Sequence, residues 1–507
     1  MEKVYEPARR VLTFGLLAIL LAVIYVYSCA NIQHYTAYME ADIASETLLA
    51  QVLYENGHVQ PDTWYMSTGR RILSPPMLAS FLYGPTGGNL NVSVGAACSI
   101  MMILLLASML YFNRQLGLGL MESLVMAVLS FVLSSPANET QRMLFLYSSY
   151  YVGHFTCMFL VLAFYARALK EDGLYLPHVL ITVPLAIVNG AQGMHASMFF
   201  YMPLLGAEIL RRLVSFVTKR KNEKNSLTIW VVAISMLSLV SVKIFGDHFA
   251  GEVSRNLRHA PEKFFDIVLP FFKEVLGYGR MPWLILIFVL MAVAGYALGI
   301  KKFGEKKELW STLTVPFGVI VVIISTTFTT AEAAPRYYLM QVFCVGIGAA
   351  LLTELYKHEL TLVLTALVIV YGAFSALVFN RELIINDHSA ETEYAQIADW
   401  MEENGYEYGY STFDHANTIT VISNNAVKVR AVNNFTELKG ARWLTDSSWY
   451  PPAKDAGGAT CYVVSRPHDP EFAEFEKSGK PDIIDKMDFD SFTVYVTDRD
   501  YTVWGSD

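Results

Sequence analysis

The sequence predicts a polytopic α-helical membrane protein with a small α/β domain at its C-terminal end, and three observations carry that prediction. The 507 residues are 54% hydrophobic and only 17% charged, too apolar for a soluble protein of this size. Eleven runs are long enough to cross a hydrocarbon core about 30 Å thick, near residues 11–30, 91–112, 118–136, 150–168, 177–192, 194–211, 226–246, 282–300, 311–329, 337–356 and 359–380. Residues 381–507 then break the pattern, with 11 Lys and Arg against 23 Asp and Glu, a net charge of −12, whereas the 380 residues before them net about +4.

The first run, "VLTFGLLAILLAVIYVYSCA" (11–30), follows Lys3, Arg9 and Arg10, which places the N-terminus in the cytoplasm. A cleaved leader competes with this reading, because Ser28-Cys29-Ala30 loosely resembles a lipoprotein box; Tyr27 is too bulky for that box and the run is long for a leader. The basic connections "RRLVSFVTKRKNEK" (211–224) and "KKFGEKK" (301–307) fall on the same side as the N-terminus, as a positive-inside arrangement requires. Segments 31–90, 137–149, 247–281 and 330–336 then lie outside. "NGAQGMHAS" (189–197) reads either as a tight turn between two spans or as a break within one, since Gly190, Gly193 and Ser197 allow both. The charge bias favours two spans.

An odd number of crossings puts 381–507 outside, so the chain divides into a membrane domain, 1–380, and an extracytoplasmic domain, 381–507. The second domain keeps periodic apolar segments and reads as folded. "ETEYAQIADWMEENG" (391–405) has helical spacing with Gly405 as a stop, and "AVKVRAV" (426–432), "TCYVVS" (460–465) and "SFTVYVTD" (491–498) read as strands.

Several function classes drop out. The five cysteines, four in spans and one in the tail, give no disulfide framework and no zinc spacing. There is no phosphate-cradling Gly-rich loop, no HExxH and no nucleophile elbow. Asp488-Phe489-Asp490 and Asp498-Arg499-Asp500 mimic a metal-binding triplet, but they flank a strand in an acidic domain and read as solvated turns.

The polar chemistry concentrates in the external loops. The first, 31–90, is far longer than a connection between two spans needs. In "AYMEADIASETLLAQVLYENG" (37–57), Asp42 and Glu46 share a helix face, Glu40 precedes them, and Ile43, Leu49, Val52 and Leu53 form an apolar stripe for the membrane interface. Two acids one turn apart repel unless a cation faces them. Arg70 and Arg71, in "WYMSTGRRILSPP" (64–76) after Trp64 and Tyr65, are the nearest candidates; guanidinium forks suit phosphate and the aromatics suit a sugar ring, although an aromatic belt with two solvated arginines is equally compatible. In "TTAEAAPRYYLMQVF" (329–343), Glu332 and Arg336 are spaced i,i+4 and Pro335 can open a helix. An arginine at an outer span end invites an anionic partner, with a local Glu332–Arg336 salt bridge as the alternative. "PEKFFDIVLPFFKEVLGYGR" (261–280) has the pattern of an in-plane amphipathic helix, suited to gating lipid entry or simply to packing. His195, within 189–197, completes the substrate-binding candidates.

This layout, with "EADIASE" (40–46) and "PRYYLM" (335–340), resembles the GT-C membrane glycosyltransferases, among them protein O-mannosyltransferases, the lipid A aminoarabinose transferase and oligosaccharyltransferases; it also looks like GT-C-type proteins of Gram-positive bacteria. The resemblance implies a sugar moved from a polyprenyl-phosphate donor to a glycan, teichoic acid-type polymer, lipid or protein of the cell envelope. It makes Asp42 the base, Glu46 or Glu40 a supporting acid or metal ligand, and Arg336 with Tyr337 a phosphate contact. The sequence lacks the adjacent Asp-Glu pair and the WWD-type signature found in parts of that group, which leaves the choice among Glu40, Asp42 and Glu46 open and argues against transfer of a whole oligosaccharide to asparagine. No motif demands a cofactor; magnesium or manganese held by Asp42 and Glu46 is the metal role left open. A transporter or flippase, or a polymerase or ligase of lipid-linked glycans, is the rival reading, and Glu122 and Glu208, in or near spans, are the acids a transporter would use.

Overall fold

The computed structural model describes residues 2–504, apart from 37–38, 67–68, 135–143, 148–149, 219–224, 246–253, 278, 332, 452–453, 455–456 and 480. Among them the bundle helices are α1 (Glu2–Gln33), α4 (Leu90–Gln115), α5 (Leu120–Val132), α6 (Val152–Lys170), α7 (Leu176–Ala191), α8 (194–217), α9 (Asn225–Phe245), α11 (Pro282–Lys302), α12 (Thr314–Phe328), α13 (Met340–Leu355) and α14 (Glu359–Asn380). Eight helices meet the length and hydropathy needed to cross a membrane, two more (α5 and α7) are shorter but apolar, and each of the eleven apolar runs falls on one of the bundle helices. The protein is a multi-pass membrane protein.

The segment 189–197 is a break between helices. α7 ends at Ala191, Gly193 takes φ +125°, and α8 begins at Met194 with a π-helical turn at Ser197–Tyr201. At the far end of the bundle from α2, the span acids are tied to arginines: Arg9 meets Glu122 at 2.9 Å, and Arg211 meets Glu208 at 2.7 Å, with Tyr165 and Thr228 also donating to Glu208.

The first loop folds into α2 (Ala41–Glu55), the two-residue strand β1 (Trp64–Tyr65) and α3 (Pro75–Tyr83). Here the structure differs from the interfacial helix expected for 41–55. Residues 43–50 of α2 are buried all round, because α3 covers one flank and the C-terminal domain covers another. That domain contains α15 (Glu393–Glu403), β2 (Tyr408–Thr412), α16 (Phe413–Ile422), β3 (Lys428–Val432), β4 (Thr445–Asp446), β5 (Thr460–Ser465), α17 (Asp469–Lys477), β6 (Ile483–Asp488) and β7 (Phe492–Thr497).

Its five-stranded sheet has the order β3-β2-β5-β7-β6, parallel across β3, β2 and β5 and antiparallel across β5, β7 and β6. Side chains alternate along β5. Cys461 and Val463 join a core with Ile397, Met401 and Ile419 of α15 and α16, while Tyr462 and Val464 join Phe472 and Phe475 of α17, as the two-residue period of a strand dictates. Asp500, expected in a solvated turn, is buried instead, accepting hydrogen bonds from Tyr410 at 2.6 Å and Lys454 at 3.0 Å.

Strand pairing and a side-chain hydrogen bond help to fasten this domain to the first loop. β1 pairs antiparallel with β4, Trp64 opposite Asp446, and Asn417 of α16 donates to the Ser45 hydroxyl of α2 at 2.7 Å. Asn417→Ala is expected to cost about 1 kcal/mol, the usual net worth of one buried hydrogen bond. A thermal melt of the purified protein checks it, and no change in melting temperature would show that this contact does not fasten the domain.

Candidate active site

Asp42 and Glu46 project from the start of α2 into a cavity of about 130 Å³ shared with Arg71, Tyr150, His154, His195, Arg336 and Trp443, among others. α2 sets this up because its other sides are packed, which leaves the face bearing Asp42 as its one solvent-reaching surface near the first turn. The two acids have different surroundings. Glu46 is 1% exposed, and Arg71 grips it with Nε at 2.8 and 2.9 Å from its two oxygens and Nη2 at 2.7 Å. Asp42 is exposed to solvent at the cavity, yet the protein packed around it removes part of its hydration, and this partial desolvation raises its pKa above the usual aspartate value; Arg336, a hydrogen bond from Trp443, and Arg71 oppose the rise without cancelling it. For Arg71, desolvation pulls the pKa down, and the Glu46 carboxylate more than offsets it.

Arg71 is held in place by backbone packing as well as by charge. Residues 69–73 run against the 189–193 break: Arg70 N–H donates to Ala191 O at 3.2 Å, and Leu73 N–H donates to the Gln192 side chain at 2.5 Å. A Cβ on Gly69 would lie 2.7 Å from the Gln192 carbonyl carbon and oxygen, so only glycine allows the 69–73 segment to approach so closely. Gly69→Ala is expected to destabilise by about 1–3 kcal/mol, as overpacking does, and to lower activity by moving Arg71; retained stability and turnover would show that the 69–73 segment can shift without consequence.

Arg336 comes from the other side. It sits in the 3-10 turn Pro335–Tyr338, which caps α13, and its guanidinium lies 5.4 Å from the Tyr337 ring centroid. His195 stacks on Tyr337 at 5.3 Å, and Tyr151 meets His195 edge-on at 5.5 Å. Helical segment α10 (260–275) braces this turn, with Lys263 donating to the Thr329 and Ala331 carbonyls at 2.9 and 2.6 Å and Phe272 O accepting from Gln341 of α13 at 2.8 Å.

The cavity therefore gathers Asp42, Glu46, Arg71, His195, Arg336 and Tyr337. Glu40 caps α2 outside the lining, Arg70 is exposed with its guanidinium over Phe245, and Glu332 lies outside the described residues. Trp64 and Tyr65 sit in β1, against Trp449 and Trp504 of the C-terminal domain. Tyr150, Tyr151, His154, Gln192 and Trp443 line the cavity without having been singled out in the sequence. Among the described residues no three His, Cys, Asp or Glu side chains group as a metal-binding set. Both Glu46 oxygens accept from Arg71, and Asp42 is the second carboxylate of the cavity; magnesium is commonly held by one or two carboxylates together with water and substrate phosphate.

No family model and no curated protein matches the sequence. Solved structures do. ArnT from Cupriavidus metallidurans bound to undecaprenyl phosphate superposes with a TM-score of 0.54 over 97% of this chain and 99% of that one, at 12% identity. The apo state of the same protein gives a TM-score of 0.54 over 95% and 98% at 11% identity. The chain has the GT-C fold. Within that fold the match runs through the bundle, the first loop and the C-terminal sheet alike, since almost nothing of either chain is left uncovered.

Proposed function

We propose that this chain is a membrane glycosyltransferase that moves a sugar from a polyprenyl-phosphate donor to a cell-envelope acceptor on the extracytoplasmic face. One observation carries the reading: a single cavity at one end of the bundle sets a solvent-reaching carboxylate with a raised pKa, Asp42, among the arginines 71 and 336. The GT-C fold and the undecaprenyl phosphate bound by the Cupriavidus metallidurans protein support a lipid-linked donor.

In this mechanism the acceptor hydroxyl oxygen bonds to the anomeric carbon as its proton passes to Asp42. The bond from that carbon to the phosphate oxygen breaks, its electron pair leaves with polyprenyl phosphate, and a single displacement inverts the centre. Positioned general-base help is worth roughly 10²–10⁴-fold. Arg71 and Arg336 offset charge on the departing phosphate, where fixed cations act most strongly. Glu46 positions Arg71, and the Tyr337–His195 stack holds the wall beside Arg336. No step is routed through a metal. The acids a transporter would use, Glu122 and Glu208, are both occupied by arginines.

Undecaprenyl phosphate added to the purified protein should raise its melting temperature, and Arg336→Ala should weaken that binding roughly 10–100-fold, the loss of one charge-assisted contact worth about 1.5–3 kcal/mol. Equal affinity in the variant would remove Arg336 from the phosphate site.

A further inference from the structure

A cavity of about 130 Å³ is below the roughly 300–1,000 Å³ of ordinary small-ligand sites. It accommodates the reacting end of one substrate, so the bulk of a second must lie elsewhere. Trp443 offers the route. It walls the Asp42 cavity on one side and, on the other, a cleft of about 530 Å³ in the C-terminal domain.

The cleft opens at the carboxyl ends of β2 and β3 and is lined by Thr412, Phe413, Asp414, Asn433, Arg442 and His468 as well as Trp443. β2 pairs in parallel with β3 on one side and β5 on the other, and the chain leaves it through α16 to β3 before returning to β5. Open α/β sheets bind ligands at such a reversal of strand order, outside the carboxyl ends of the strands. A second observation points the same way. Thr412 is 6% exposed and occupies the N-cap position of α16, yet its hydroxyl makes no capping bond and, among the described residues, has no partner. A buried hydroxyl left unpaired is destabilising, a penalty that a ligand hydroxyl in the cleft would remove.

Resting on the glycosyltransferase reading, we propose that this cleft holds the acceptor and that the acceptor is a neutral glycan. Sugar hydroxyls both donate and accept, and the lining matches them: Asp414 accepts, Arg442 donates, and Asn433, His468 and Thr412 do either. Trp443 and Phe413 offer faces to the apolar side of a pyranose ring. Asp414 repels a phosphate. An extended peptide would add along a sheet edge, and this cleft lies at strand ends. A glycan seated here reaches over Trp443 with its terminal hydroxyl toward Asp42, whose carboxylate Trp443 itself hydrogen-bonds.

The test uses the full-length protein in detergent, with chitotriose, mannotriose, maltotriose and a serine-rich decapeptide as probes, read by saturation-transfer NMR and titration. At least one trisaccharide should bind, and Thr412→Val and Asn433→Ala should each weaken it roughly three- to tenfold, the worth of one hydrogen bond. Thr412→Val should leave the melting temperature of the ligand-free protein unchanged or raised, since it removes an unpaired hydroxyl without changing shape. Binding of undecaprenyl phosphate, measured on the same samples, should not move. Failure of all three sugars, binding of the peptide instead, or sugar binding indifferent to both variants overturns the cleft assignment, and retained undecaprenyl phosphate binding leaves the glycosyltransferase reading in place. Sugar binding without undecaprenyl phosphate binding overturns that reading instead.

Discussion

Asp42→Asn is expected to lower sugar transfer by roughly 10²–10⁴-fold, the share of rate that a positioned general base supplies, while undecaprenyl phosphate still binds. The amide has nearly the shape of the carboxylate and can still accept from Trp443, so the wall is kept and only the proton acceptor is lost. Stability moves the other way. Enclosure raises the Asp42 pKa in the folded protein, so ionising it opposes folding: its stabilising contribution is complete below the unfolded pKa and fades as pH rises through the folded one. At neutral pH the asparagine variant, which carries no charge to desolvate, should melt no lower than the native chain and modestly higher. The same shift fixes the acid limb of the pH profile, because Asp42 must be ionised to take a proton. kcat/KM should fall as pH drops through a value higher than that of an ordinary aspartate, and that limb should vanish from the residual activity of Asp42→Asn. An unchanged limb, or near-normal transfer, would give the base role to another group.

What the sequence made legible follows from which signals are local. The bundle is written in apolar length, and the eleven runs coincide with the helices. The carboxylate pair on α2 was visible because i,i+4 spacing is a property of one helix. Arg71 was visible as a candidate but not distinguishable from Arg70, its neighbour. The two diverge only because Gly69 and Leu73 lie against the 189–193 break, which turns Arg71 toward Glu46 and leaves Arg70 at the surface. Trp64 and Tyr65 carry the chemistry of a sugar platform or an aromatic belt, and strand pairing with residues some 380 positions away sets them against Trp449 and Trp504. Trp443 had no local signal at all. It reaches Asp42 because β4 beside it pairs with β1, and pairing over such a separation leaves no trace in the periodicity of either segment.

Glu46→Gln is the change expected to cost the most stability. Both Glu46 oxygens are occupied by Arg71, and the pair is withdrawn from water, at 1% and 12% exposed. Removing one member of a buried pair leaves the other charge uncompensated, typically a loss of about 3–5 kcal/mol. Glutamine keeps one accepting oxygen but supplies a donor where Arg71 needs an acceptor, so both the charge and half of the fork geometry disappear. Arg71 is also one of the two cations assigned to the donor phosphate, and this gives the variant a signature that a general weakening of the fold does not have. A bound phosphate can restore the missing negative charge beside Arg71. Undecaprenyl phosphate should therefore raise the melting temperature of Glu46→Gln by more than it raises that of the native protein, even though the variant starts lower and, with Arg71 no longer fixed, turns over more slowly. Melting curves of both proteins with and without undecaprenyl phosphate measure the difference directly. A destabilised variant whose ligand-induced shift is no larger than the native one would place Arg71 in the scaffold alone and leave Arg336 as the cation that meets the phosphate.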